Sequence, residues 1–363
     1  MIIVLFIFSI ISAWSYPELV RYGYSNCITC HVSPSGGGVL NLYGRELSKE
    51  ILSTWGVKGE QYFAYGAVKL PQNVNLQGYM RALQYRRDTP YVEEARTILM
   101  QADLEGSYQS NKVTTVLSLG RQEKQLGGDK VVQPISRRHY VNYQAFDSLI
   151  LRAGKFSRSF GLNTPYHTSY VQRDLGFGQE TETYNLEASL YLDHLTLVGT
   201  NIFGTFKDKT SYATESGQSL SAQYSFLNNQ KVGLSTFYGR DEVQRRSIIG
   251  PWLILNYKKD LFLMSETFFQ KKELFNSGVN SSGYVSTNRI NYQIYRGLIP
   301  FFTFEASQLD WSVDTSKKQS YGLGLQFFPR PHFELIASAQ RDRYYIQEGY
   351  FSSLYLFTFN FYL

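Results

Sequence analysis

The sequence predicts an all-β protein, a transmembrane antiparallel β-barrel of about sixteen strands preceded by a small N-terminal segment of short helices and loops. Three observations predict it. Aromatic residues make up 16% of the 363 residues, with 29 Tyr and 25 Phe, yet mean hydropathy is negative. Strands that are greasy on one face and polar on the other give that combination. From Asn73 onward the chain breaks into segments of about ten residues in which apolar and polar side chains alternate, the period of a strand. The connections between those segments are short and long in turn, as in barrels with tight turns on one side of a membrane and long loops on the other.

The first element is the apolar run Ile2 to Ile11, followed by Ser12-Ala13-Trp14-Ser15. Ala13 and Ser15 form a small-x-small signature, so residues 1–15 read as a secretory signal peptide cut before Tyr16. No later stretch approaches the ~18 consecutive apolar residues of a membrane-spanning helix, which leaves strands as the means of crossing. The resulting plan is a signal peptide at 1–15, an N-terminal segment at 16–71 and a barrel at 72–363. The formal charge of +6 is not organised as a basic run interleaved with aromatics, which excludes a nucleic-acid partner. A positively biased lumen that attracts small anions suits it better.

The second element carries the chemistry. Both cysteines of the chain lie in Cys27-Ile28-Thr29-Cys30-His31, the C-x-x-C-H spacing of a c-type haem attachment site. Two thiols two residues apart reach the two vinyl groups of one porphyrin, and the imidazole that follows falls beneath the iron as proximal ligand. A redox dithiol would open a helix after a strand, and no such unit is present. Zinc would need further Cys or His nearby, whereas the next histidine is His139. A disulfide across two residues closes too small a loop to stabilise much. The expected cofactor is therefore one covalent haem c, with His31 as the iron ligand.

After the motif, Gly36-Gly37-Gly38 permits backbone angles closed to other residues. It would either lie against the porphyrin face or act as a flexible linker. Val39, Leu42, Leu47 and the run Lys49-Glu50-Ile51-Leu52 fit one or two short helices. No Met lies between His31 and Pro71. A distal ligand must come from Met80, Met100, Met264, His139, His167, His194 or His332, or be absent.

The barrel segments fall near 73–85, 96–109, 112–121, 137–145, 148–157, 182–192, 194–203, 218–227, 231–239, 246–257, 260–271, 284–295, 299–309, 319–328, 332–342 and 351–363. In Tyr184 to Leu192 the polar Asn185, Glu187 and Ser189 alternate with apolar neighbours, and the last segment sets Tyr355, Phe357, Phe359 and Phe361 against Thr358 and Asn360. Short links such as Ser110-Asn111, Phe146-Asp147 and Lys258-Lys259 alternate with long ones, which puts both ends of the barrel and the haem motif on the short-turn, periplasmic side. The longest connection, 158–181, mixes glycine, proline and charge. It reads either as a loop folded into the lumen, where Lys155, Arg158, Arg173 and Asp174 line a constriction, or as a surface loop held by its aromatics.

The run from Cys27 to His31, with Pro34, the three glycines and Tyr43-Gly44-Arg45, resembles the N-terminal motif of bacterial outer-membrane proteins in which a mono-haem cytochrome segment precedes a porin-like barrel. The stretch from Gly154 to Phe177 is similar to the third-loop region of porin-type barrels. The resemblance implies an outer-membrane location, haem on Cys27 and Cys30, and His31 on the iron. These barrels often end in Phe, where this chain ends in Leu363.

Three functions remain open at this point. The first is an electron-transfer porin-cytochrome that works with periplasmic or extracellular redox proteins, because one cofactor cannot by itself bridge an apolar band about 25 Å tall. The second is a diffusion channel for small anions with a structural or sensory haem. The third is a peroxidase-like or gas-binding site on five-coordinate iron.

Overall fold

The computed structural model describes residues 16–363 apart from 57, 127–128, 167, 179–180, 206–213, 228, 347–348 and 363; the expected signal peptide and Leu363 lie outside the described residues. Seventeen strands form one closed antiparallel sheet. They are β1 (Val74–Asp88), β2 (Glu93–Ser110), β3 (Val113–Leu126), β4 (Asp129–Ile135), β5 (His139–Phe146), β6 (Leu149–Phe156), β7 (Thr183–Tyr191), β8 (Leu195–Gly204) and β9 (Ser216–Phe226). The circuit continues through β10 (Gln230–Arg240), β11 (Gln244–Lys258), β12 (Leu261–Leu274), β13 (Asn280–Tyr292), β14 (Leu298–Gln308), β15 (Lys317–Phe327), β16 (Phe333–Tyr344) and β17 (Tyr350–Tyr362). Pairing of Tyr79 in β1 with Tyr362 in β17 closes the barrel.

Seventeen segments make sixteen staves, because β4 and β5 are two parts of one. Gly120 of β3 pairs with Ile135, and Leu117 of the same strand pairs with His139. The break at Ser136-Arg137-Arg138 has a charge-based reason. Asp103 and Glu105 stand two apart on the inner face of β2, and the interruption lets two consecutive arginines turn inward, Arg137 to Asp103 at 3.2 Å and Arg138 to Glu105 at 2.7 Å. An unbroken strand would send one of them outward.

The alternation expected from the sequence is the inside and outside of this wall. On β11 the buried set is Gln244, Arg246, Ile248, Gly250, Trp252, Ile254 and Asn256, while Leu99, Leu117, Leu186, Leu220, Leu323 and Phe357 are exposed on the outside of other strands. All sixteen expected segments are present. Several run further than expected at the long-connection end: 86–95 is mostly ladder around a turn at 89–92, and 122–136 is a β3–β4 hairpin. There the strands carry charge on both faces, as in the Arg86–Glu93 pair. Apolar alternation therefore ceases while backbone pairing continues.

The termini meet at the short-turn end. Val74 pairs with Tyr108 beside the turn at Asn111, and the Tyr362 N–H donates to the His332 carbonyl in the turn before β16. From that end residues 16–53 enter the lumen, and the described residues of 54–66 lie against the rim at Phe328, Pro329 and His332. This plug touches the wall on many sides: the Leu40 N–H donates to Gln77, Asn142 donates to the Val32 carbonyl, Lys231 to the Ser25 carbonyl, and the Thr54 N–H to the Phe328 carbonyl. Val20 and Leu52 share one apolar core with Phe160, Ile254 and Phe328 of the barrel and its loop. The expected short helices are α1 (Leu42–Leu47) and one wider turn over Ser48–Leu52.

One plug contact titrates. His332 Nε2 lies 2.6 Å from the Glu60 carbonyl, and burial lowers the ring's pKa from 6.5 to about 4, the bond to Glu60 opposing that shift. Between those values the unfolded chain binds more protons than the folded one. The contribution is thus complete above pH 6.5 and lost as pH falls to about 4, worth at most about 3 kcal/mol. Melting followed by circular dichroism should show the wild type losing stability over that window. His332→Asn, which stays neutral and tolerates the positive φ of 74° there, should lose less; equal losses would assign the pH effect elsewhere.

The longest connection also turns inward. Phe160, Leu162, Val171 and Leu175 are buried, and α2 (Tyr170–Asp174) is capped by the Ser169 hydroxyl. Wall carboxylates hold this loop by its backbone: Glu266 accepts the Leu162 N–H and Glu305 accepts the Tyr170 N–H.

Candidate functional site

The Cys-x-x-Cys-His run forms a single tight turn. The N–H groups of Cys30 and His31 both donate to the Cys27 carbonyl, at 3.2 and 3.0 Å, and the two cysteines are not joined in a disulfide. The chain then runs out and back as a short hairpin in which His31 bridges Leu40 and the Val32 N–H donates to the Val39 carbonyl. Gly36, Gly37 and Gly38 at its tip all have positive φ. They do not line the cavity beside the cysteines. A Cβ on Gly38 would stand 2.7 Å from Glu105 Oε1, so the tract fits the hairpin tip against the Glu105–Arg138 pair of the wall.

Two residues to which the sequence reading gave no role in the turn shape it. Asn41 donates through Nδ2 to the Thr29 carbonyl at 3.0 Å and accepts the Gly44 N–H at 2.8 Å, so one side chain holds the motif and caps α1. Gly44 brings α1 against the motif: a Cβ there would lie 2.3 Å from the Cys30 carbonyl oxygen and 2.9 Å from its Cα. Because both neighbours are backbone, Gly44→Ala must push helix and turn apart. The expected cost is about 1–3 kcal/mol, read as a lower melting temperature and faster proteolysis within 16–66, and wild-type values would refute the close approach.

Cys27, Cys30 and His31 line one side of a cavity inside the barrel that is partly open to solvent. Leu40, Leu47, Leu52, Phe160, Trp252 and Ile254 give it an apolar lining drawn from plug, loop and wall. His31 is 6% exposed, and its Nδ1 is buried without a hydrogen-bond partner. Burial lowers its pKa from 6.5 to about 4, with a hydrogen bond to the Gly38 backbone opposing, so the ring is neutral near pH 7 and free to donate a lone pair. Burial also raises the Cys30 thiol to about 11. Tyr24, another lining residue, meets the half-exposed Tyr43 hydroxyl to hydroxyl at 3.0 Å and carries the cavity to the surface. Among the described residues no group of three or more His, Cys, Asp or Glu is arranged to hold a bare metal ion.

Among the described residues, none of the expected distal ligands lines this cavity. Met264 lines a second cavity of about 800 Å³ on the other side of Leu162. Met100 is the bulged residue opposite Arg81 and Ala82, and Met80 packs at the edge of the Tyr79–Tyr362 cluster. His139 sits between Ser136 and Tyr184, His194 lies edge-on to Tyr224, and His332 is engaged by Glu60. His167 lies outside the described residues.

The four charged residues expected at a constriction are not brought together. Lys155 follows Leu151 and Ala153 on the outward register of β6 and donates to the Ser136 carbonyl. Arg158 is buried against Glu215, which also takes Arg246. Arg173 pairs with Asp174, which in turn meets Lys318 at 2.7 Å. A separate buried pair, Arg152–Glu187, joins the loop to the plug through Ser159, Ser33 and Ser35.

The barrel is similar to several solved outer-membrane proteins. A loop-deletion form of OmpT from Vibrio cholerae aligns over 80% of this chain and 99% of its own, with TM-score 0.59 and 11% identity. The outer membrane channel DcaP of Acinetobacter baumannii aligns over 80% and 97%, with TM-score 0.57 and 10% identity. OprB of Pseudomonas putida aligns over 80% and 94%, with TM-score 0.57 and 8% identity. At such identities the likeness is one of fold, a sixteen-stranded porin-like barrel. No protein-family model and no curated protein matches the sequence.

Proposed function

We propose that the protein is an outer-membrane barrel that holds one covalently attached c-type haem inside its lumen and exchanges electrons with periplasmic or extracellular redox proteins. The observation that carries this reading is the joining of Cys27, Cys30 and His31 on one wall of a largely apolar cavity inside the lumen. The outer-membrane location is supported by the apolar outward faces of the strands and by the fold of the similar barrels.

The residues present suit the group. Cys27 and Cys30 would hold the group through two thioether links, each made by addition of a thiol S–H across a vinyl double bond, which needs no oxidant. His31 would hold the iron through a neutral ring nitrogen. The apolar lining excludes water, and the Tyr24–Tyr43 pair marks the edge where the cavity reaches the plug surface. When bound, the haem supplies one-electron redox chemistry. Exposed Leu42, Tyr43, Trp55 and Tyr62 give a protein partner an apolar and aromatic landing area on the plug. A cofactor within the lumen also shortens the distance a partner on either side must cover.

The test is an absorption spectrum of membrane-extracted protein, oxidised and reduced, with haem staining after denaturing electrophoresis. Haem should stay with the polypeptide band; a colourless band would remove the reading. The same spectra address the peroxidase-like alternative, since a low-spin iron inert to carbon monoxide excludes it.

A second reading is favoured by the fold of DcaP, described as an outer membrane channel. In it the barrel passes small solutes and the haem is structural or sensory. The plug must then leave a path or move, and single-channel recording with ion selectivity tests this.

A further inference from the structure

The cavity beside the motif carries one protein cation and no protein anion. Lys231 is the only lysine or arginine among the described residues that line it, and no Asp or Glu lines it. Lys231 is the second residue of β10 and is 6% exposed. Its Nζ donates to the Ser25 carbonyl at 2.6 Å and stands 5.9 Å from the Trp252 ring centroid. Among the described residues no carboxylate lies within ion-pair distance of it. Five other buried cations of the lumen, Arg137, Arg138, Arg152, Arg158 and Arg246, have an Asp or Glu partner, whereas the buried Arg289 is held by the side-chain oxygens of Asn291 and Gln326.

A buried ammonium whose neighbours are a carbonyl, an aromatic face and the Cys27 thiol is costly to maintain. The cost is offset if the cavity's occupant brings a negative charge. A haem does so, because two of its side chains end in carboxylates. We infer that Lys231 is the counter-ion of a haem carboxylate, a positioning residue that fixes how the porphyrin is rotated within the lumen and sets part of its reduction potential. This inference rests on the haem reading above.

The sign of the effect on potential follows from charge. A fixed positive group near the porphyrin favours the reduced iron, which carries one positive charge fewer, and it partly cancels the carboxylate that favours the oxidised iron. Removing the lysine charge should therefore lower the potential. At about 10 Å and an effective dielectric constant near 20, one unit charge shifts the ratio of reduced to oxidised haem roughly tenfold.

The experiment is a spectroscopic redox titration of the full-length holoprotein with wild type, Lys231→Gln and Lys231→Arg. Poised at the wild-type midpoint, the glutamine variant should show that roughly tenfold fall in the ratio of reduced to oxidised haem. The arginine variant should stay near wild type, and the spin-state bands should be the same in all three. An unchanged midpoint in the glutamine variant overturns the proposal. So does a change of spin state in both variants, which would make Lys231 an iron ligand instead. Should the glutamine variant fail to load haem, the arginine variant decides: loading with a near-wild-type midpoint sustains the counter-ion role, and failure to load overturns it. Failure of the haem reading is distinguishable, because wild type itself would then carry no covalent haem.

Discussion

Replacing Cys27 and Cys30 together with alanine is expected to abolish covalent haem while leaving the barrel folded. Each thiol supplies one thioether, so the double variant has no bond with which to retain the group through denaturing electrophoresis. The single variants keep one link and should give weaker but detectable haem-stained bands. The barrel should survive because its closure is made elsewhere, by the β1–β17 ladder and the ring of neighbouring strand pairs. Cys30 packs in a small cluster with Leu40, Leu47, Tyr79 and Tyr362, where loss of one sulfur costs on the order of 1 kcal/mol. Heat-modifiable mobility on gels reports the folded barrel independently of haem. Undiminished haem staining in the double variant would sink the attachment reading, whereas loss of both haem and folded barrel would make the cofactor part of assembly.

How far the sequence reveals this molecule depends on which interaction decides each feature. Strand pairing was legible because a wall with lipid on one side and a filled lumen on the other forces a period of two, as in Asn185, Glu187 and Ser189 facing in. Tyr355, Phe357 and Phe359 face out for the same reason. That Cys27, Cys30 and His31 share one cavity wall was legible because they are near neighbours in the chain. What could not be read are contacts between distant parts of the chain. Gly44 is one of 29 glycines, and only the fold brings it against the Cys30 backbone. Lys231 resembles any lysine at a strand start until the plug covers it. The three glycines were read as a porphyrin contact or a linker, and their φ angles are indeed special. The partner, however, is the Glu105–Arg138 pair, more than sixty residues further along the chain. Lys155 was grouped with Arg158 because both are basic and near the same loop. Strand parity places Lys155 outward and Arg158 in the lumen.

Removing the plug should convert a closed barrel into an open one, and this is the largest change in transport we expect. Sixteen-stranded barrels are wide enough to leave an aqueous channel when their interior is not filled. Here residues 16–53 occupy the short-turn half, and the inward loop occupies the middle, where Phe160, Phe177, Phe237 and Phe268 pack ring to ring. A variant lacking residues 17–66, with residues 1–16 kept, should show many-fold higher conductance in planar bilayers than the full-length chain. The remaining loop then sets the narrowest point. Its wall anchors are carboxylates, Glu266 on the Leu162 N–H and Glu305 on the Tyr170 N–H, while Arg81 and Arg289 line the same 800 Å³ cavity. The opened channel should therefore feel both signs of charge across its lumen, and its ion selectivity should be modest despite the net positive charge of the chain. Equal conductance with and without the plug, in a variant shown to be folded by heat-modifiable mobility, would mean that solutes already pass around the N-terminal segment. The diffusion reading would then outrank the electron-transfer one. A large rise would mean that the intact protein devotes its lumen to housing the Cys27–His31 segment, which a simple diffusion channel has no reason to do.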